Sequence, residues 1–166
     1  MIYKNIKPNI SKEAYILDSA QVMGDVSIAK NASVWFNATV RGDMAKIEIG
    51  EGTNIQDNAV VHTDTDKPTK IGKFVTVGHS AIIHAATVCD FCLIGMGSVI
   101  LNGATIEEGA MVAAGCVVPP GKTVPKNSLA LGNPMKVIRE LKPTELKRNL
   151  SNANTYISLA KDYHNE

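Results

Sequence analysis

An isoleucine or valine returns at every sixth residue through most of this chain, a period that excludes most folds. One run reads Ile10, Ile16, Val22, Ile28, Val34, Val40; a second reads Ile49, Ile55, Val61; a third reads Ile71, Val77, Ile83. After a single step of five the pattern resumes at Val88 and continues through Ile94, Ile100, Ile106, Val112, Val118 and Val124. An amphipathic helix needs apolar residues about 3.6 apart and a half-buried strand needs them 2 apart, so neither accounts for a sustained period of six. A parallel β-helix does: six residues make a short strand and a turn, three such steps make one coil, and each anchor points inward to stack on its counterpart one coil later. Small residues recur four places after an anchor, at Ala20, Ala32, Ala38, Ala104, Ala110 and Cys116. Aromatic residues are only 5% of the sequence, so the core has to come from many thin layers of aliphatic side chains.

The fold class expected is therefore all-β, a single-stranded parallel β-helix over residues 1–133, followed by a linker and a C-terminal α-helix within 134–166. The repeat stops near Leu131-Gly132-Asn133-Pro134. Pro143-Thr144-Glu145 has the proline and the first-turn acid of a helix start, and Leu146, Leu150, Ala153 and Ile157 follow at helical spacing to about Lys161. Such a helix is expected to pack against the side of the solenoid.

Two steps are too long, with three extra residues between Val40 and Ile49 and four between Val61 and Ile71. Insertions in a solenoid are expected to leave it as loops. Treating each as a bulge within one step makes Val40, Val61 and Ile83 successive anchors of one face. The residues after them, Arg41, His62 and His84, then form a column with neighbours about 4.8 Å apart. On the preceding face Ile55 and Val77 stack, which sets Asp57 beside His79. His62 and His84 converge from one chain, whereas His79 is on another face and can join them only at a junction between subunits. A closed homotrimer supplies such junctions. Three imidazoles with an open fourth position make the ligand set of a catalytic zinc. The same geometry puts Arg41 of one subunit near Asp57 of the next. His164, the remaining histidine, is expected on the surface.

Composition narrows the partners. Seventeen Lys and Arg against sixteen Asp and Glu leave a net charge of +1, no footprint for nucleic acid or a membrane surface. The first ten residues lack the apolar stretch of a signal peptide, and no run is long enough to cross a membrane. Cys89, Cys92 and Cys116 are an odd number, which argues against a disulfide framework and for a reducing, cytoplasmic location. Cys89-x-x-Cys92 is a lone pair, expected to serve as small buried side chains.

Val40-Arg41-Gly42-Asp43, Thr53-Asn54-Ile55-Gln56-Asp57, Val61-His62-Thr63, Val77-Gly78-His79 and Ile83-His84 resemble the signature segments of γ-class carbonic anhydrases and their bacterial relatives. The resemblance extends over most of the chain, through Gly95-Met96-Gly97 and the terminal helix. It implies a left-handed coil and a homotrimer binding zinc (or iron or cobalt) at each interface, with His62 and His84 from one subunit and His79 from its neighbour. It implies reversible hydration of carbon dioxide to bicarbonate, by hydroxide generated from water whose pKa the metal lowers to about 7. Gln56 would orient the reacting oxygen, Asn54 would support the same wall, Arg41 and Asp57 would pair between subunits, and Asp43 would order the interface.

The sequence departs from that family at two points. The best-known active members have a glutamate after the aspartate of the Arg-Gly-Asp segment, where this chain has Met44, and they carry an acidic loop absent after His62. Methionine relays no proton. Asp64, Asp66 or Tyr156 would have to substitute, or turnover would be slow. Two other readings share the solenoid: an acetyl-CoA-dependent hexapeptide-repeat acyltransferase, and a non-catalytic metal-binding trimeric scaffold.

Overall fold

A computed structural model of the chain describes residues 1–165. It is a parallel β-helix of about seven turns closed by one C-terminal helix. The period of six maps onto three stacked faces. On the first, Val22, Val40, Val61, Ile83, Ile100 and Val118 are in register from rung to rung. Ile28, Ile49, Ile71, Val88, Ile106 and Val124 make the second, and Val34, Ile55, Val77, Ile94, Val112 and Ala130 the third. These side chains fill the interior, each 6% exposed or less. Burying one is worth about 1.5–3 kcal/mol relative to leaving it in water, so stability grows rung by rung from identical layers. The corners are turned by the small residues of the repeat; Ala38, Ala59, Ala81, Ala110 and Cys116 are fully buried there. Cys89, Cys92 and Cys116 are all free thiols, with Cys92 and Cys116 in the core.

The two insertions are resolved differently. The expected loop between Val40 and Ile49 does not form. Thr39–Ile49 is one eleven-residue strand that passes from the first face to the second. Gly24 pairs with Gly42 and Val26 with Ile47, so Asp43, Met44, Ala45 and Lys46 together oppose Asp25 alone. A bulge absorbs the extra residues because the backbone can keep its ladder on both sides of it. Gly42 is required at the bend, since a Cβ there would lie 2.5 Å from the Asp25 carbonyl oxygen. The second insertion does form a tight loop, closed by paired backbone hydrogen bonds between Asp64 and Lys67.

The solenoid strand Ser128–Leu131 is followed by Lys136–Glu140, which turns back antiparallel along it, an element that no periodicity announced. The helix spans Pro143–Asn165. Glu145 accepts the Lys142 N–H at 2.8 Å and a two-pronged bond from Arg139 at 2.8 and 2.9 Å, so one carboxylate both caps the helix and ties it to the preceding strand. The hydrogen bond from Arg139 holds that carboxyl far below its usual range, at about 2. The helix contacts the third face of the solenoid, with Ala153 and Ala160 fully buried. Trp35 receives Tyr156 and Tyr163 edge-on, at ring-centroid distances of 5.2 and 5.7 Å. His164 is exposed, edge-on to Tyr15 at 5.5 Å.

Candidate metal centre

The strand register places Arg41, His62 and His84 side by side in one column, as the period required. His62 Nδ1 and His84 Nε2 face each other at 3.2 Å. The far nitrogen of each ring meets an oxygen: His62 Nε2 lies 2.9 Å from Asp43 Oδ1, and His84 Nδ1 lies 2.6 Å from Asn102 Oδ1. A carboxylate only accepts, so in the neutral ring the His62 proton is on Nε2. Asn102 turns its amide nitrogen to Asp64 Oδ2, at 2.8 Å, which leaves its oxygen for His84 and puts the His84 proton on Nδ1. The two facing nitrogens therefore carry lone pairs, with no proton of their own between them.

That arrangement suits a cation. Two nitrogens bound to one tetrahedral ion at 2.0–2.1 Å stand about 3.3 Å apart, close to the 3.2 Å observed. Each ring also has the oxygen partner on its remote nitrogen that metal-bound histidines use to fix their orientation. The donor set thus fits a divalent metal. Asp43 is drawn in from the bulge, where it also accepts from Arg41. Partial burial opposes its ionisation, but the bonds from His62 and Arg41 outweigh that and hold its carboxyl below the ordinary value.

His79 belongs to a second cluster on the third face. Its Nδ1 is 2.8 Å from Asp57 Oδ2, the neighbour expected from the stacking of Ile55 on Val77. That carboxylate accepts the Nδ1 proton and leaves Nε2 with its lone pair, 3.5 Å from the Tyr156 hydroxyl. Gln56 Oε1 accepts the His79 backbone N–H at 3.1 Å, and Gln56 Nε2 donates to Asn54 Oδ1 at 3.0 Å. Asn54 Nδ2 and Asn152 Nδ2, the latter from the helix, both donate to Thr76 Oγ1 at 3.1 Å. This buried chain of amides holds the peptide that carries His79. Gly78 keeps it close to the next rung, since a Cβ there would lie 2.8 Å from the Ile94 carbonyl oxygen. An open cleft of about 380 Å³ adjoins His79, walled by Leu93, Met96, Met111 and Ala113 with Gln56 and Tyr156 at its polar side.

One chain therefore carries two separate histidine clusters. His62 and His84 are together, and His79 is apart from them. Among the described residues no three His, Cys, Asp or Glu side chains of the single chain are grouped to hold a metal. Within the chain Arg41 pairs with Asp43, and Asp57 with His79. Met44 is 47% exposed beside the first cluster. Sequence reasoning missed Asn102, Thr76 and Asn152. Asn102 does follow Leu101, the residue one rung beyond His84 in the same column, and that position was its available signal.

The period of six and the stacked rungs define a hexapeptide-repeat β-helix protein. Comparison agrees: residues 85–120 match the model of the bacterial transferase hexapeptide (six repeats) family. The chain is 50% identical over 145 residues to the carbonic anhydrase of Geobacillus kaustophilus, covering 87% of this chain and 80% of that one. It is 51% identical over 152 residues to a probable carbonic anhydrase of Methanocaldococcus jannaschii, covering 92% and 96%. Among solved structures, a hexapeptide transferase family protein from Anaplasma phagocytophilum superposes with a TM-score of 0.94 at 45% identity, covering 98% and 96%. The chain belongs to the γ-class carbonic anhydrase-like family. Among its described residues no helix is long and apolar enough to cross a membrane.

Proposed function

We propose that this protein is a metal-dependent carbonic anhydrase whose site is completed between subunits of a homotrimer, with His62 and His84 from one subunit and His79 from the next. The observation that carries the reading is the pair of ring nitrogens 3.2 Å apart, each ring anchored on its far side by an oxygen. A divalent metal held there, zinc or alternatively iron or cobalt, would lower the pKa of water to about 7 and so supply the nucleophile for carbon dioxide.

The chain's own residues set the rest. Asp43, Asn102 and Asp57 hold the three imidazoles in the tautomers that present lone pairs. Gln56 spends its oxygen on the His79 peptide and one N–H on Asn54, which leaves one N–H to orient a reacting oxygen at the mouth of the cleft. Leu93, Met96 and Met111 give the cleft an apolar wall, suited to a small molecule without a dipole. Arg41 and Asp57 lie at the outer ends of the two clusters, where a pair between subunits would fix their register. Proton export is the weak step. Met44 has no proton to pass, and Tyr156, its hydroxyl pushed above the usual range by burial and by Asp57, holds its proton too tightly at neutral pH.

Carbon dioxide hydration by stopped flow, on protein loaded with zinc or anaerobically with iron, tests this reading. We expect a rate above buffer that disappears, with the metal, in His79→Ala. A metal-free protein that instead transfers the acetyl group of acetyl-CoA to an acceptor would overturn it.

A further inference from the structure

The loop after His62 has the features of a device for controlling the opposite histidine. Its backbone is closed by the Asp64–Lys67 pair. The Asp64 carboxylate is held from two sides, with Oδ1 accepting the Thr65 N–H at 2.9 Å and Oδ2 approached by Lys67 Nζ at 3.4 Å. The same Oδ2 accepts the Asn102 amide at 2.8 Å, across the rung that carries His84. Two departures from the period of six make this reach possible. The step from Val61 to Ile71 is long by four residues, and the step from Ile83 to Val88 is short by one. The shortened corner is turned by Ala85 and Ala86, both buried, so no long side chain stands between Asp64 and Asn102.

An asparagine beside a histidine does not by itself choose a tautomer, because its amide can present either the oxygen or the nitrogen. Asp64 removes the choice. It accepts only, so the amide nitrogen must face it and the oxygen must face His84. We infer that Asp64 is a positioning residue for the metal centre: by fixing the Asn102 amide it keeps the His84 proton on Nδ1 and leaves Nε2 open to a cation. This inference rests on the proposed metal role of His62 and His84, but the tautomer it predicts exists in the metal-free protein. Replacing Asp64 by asparagine allows the Asn102 amide to rotate, give its N–H to His84 Nδ1 and drive the proton to the nitrogen that binds metal.

The test uses the full chain, metal-free, with histidine ring nitrogens labelled for NMR and the pH raised until their shifts no longer change. We expect His84 to be protonated on Nδ1 in the natural protein and to populate the Nε2-protonated form in Asp64→Asn. Affinity for zinc, measured by competition with a chelator, should fall about 10–100-fold in that variant. The exchanged pair Asp64→Asn with Asn102→Asp reverses donor and acceptor between positions 64 and 102 alone, leaves His84 Nδ1 donating to an oxygen at 102, and should restore both the tautomer and the affinity. An unchanged His84 tautomer in Asp64→Asn, or an exchanged pair that restores neither reading, would overturn the inference. The tautomer shift occurring in a protein that binds no zinc would uphold the role of Asp64 and instead sink the metal reading.

Discussion

The Asp57 carboxylate and the His79 imidazole meet at 2.8 Å on the third face of the solenoid, while His62 and His84 meet on the first. Asp57 does for His79 what Asp43 does for His62. Two orienting carboxylates have therefore been provided for histidines that do not touch within one chain. The proposed function requires the two clusters to be brought together by assembly.

Mixing subunits tests that directly. Neither His62→Ala nor His79→Ala should retain metal alone. Trimers refolded from an equal mixture should regain it at roughly a quarter of the sites, those where an intact His62–His84 pair meets an intact His79. Metal analysis after desalting measures the fraction. No recovery in trimers shown to contain both chains would exclude a site shared between subunits.

Turnover should be limited by proton export and should depend on buffer. Met44 supplies no acid, and Tyr156 is shifted the wrong way for exchange at neutral pH. Raising imidazole concentration is expected to raise kcat and leave kcat/KM unchanged, because the proton leaves after carbon dioxide has reacted. Met44→Glu should reduce the need for buffer. A kcat indifferent to imidazole would show that an internal relay suffices.

Most of this architecture is legible in the sequence, for a physical reason. The spacing of six fixes which residues stack, so the His62–His84 column and the Asp57–His79 contact could be counted out. What could not be counted lies where the period breaks. Asp43 reaches His62 because the first insertion is taken up as a bulge in a continuous strand, not as the loop that spacing suggested. Asn102 and Asp64 are joined across an intervening rung by two length changes whose combined effect no repeat predicts. Tyr156 was named from the sequence as a candidate proton relay, but its approach to His79 depends on how the helix lies.

The core carries its own prediction. Ile83 is fully buried in the column beside the histidines, and Ile83→Ala should cost about 2–5 kcal/mol. Ile10, in the first rung, is 36% exposed, so Ile10→Ala should cost clearly less. Denaturant titration of both variants, with equal m-values, would rank them. Similar losses would mean that the end rung is packed as tightly as the middle.

Glu145 predicts how acid loosens the helix. Its carboxyl is held at about 2 in the folded protein against an ordinary 4.5, first by the hydrogen bond from Arg139 and then by the Lys142 N–H. A depressed folded value stabilises above the unfolded pKa, so this contribution is complete above pH 4.5 and fades as the pH falls toward 2. Trp35, the chain's single tryptophan, reports docking because Tyr156 and Tyr163 of the helix pack on it. Its emission should change over that window in the natural protein. In Glu145→Gln the change attributable to this group should be absent, with docking already weaker at pH 7.

The paired length changes around His84 also bear on how such a chain tolerates editing. Beyond Val88 the rungs are regular, each repeating the same anchor and corner, so one is interchangeable with its neighbour. A rung transplanted between Val61 and Val88 would keep every anchor in the core and still erase the long step and the short step that let Asp64 reach Asn102. In this protein the core is written in residue type, and the address of the site is written in the number of residues between anchors.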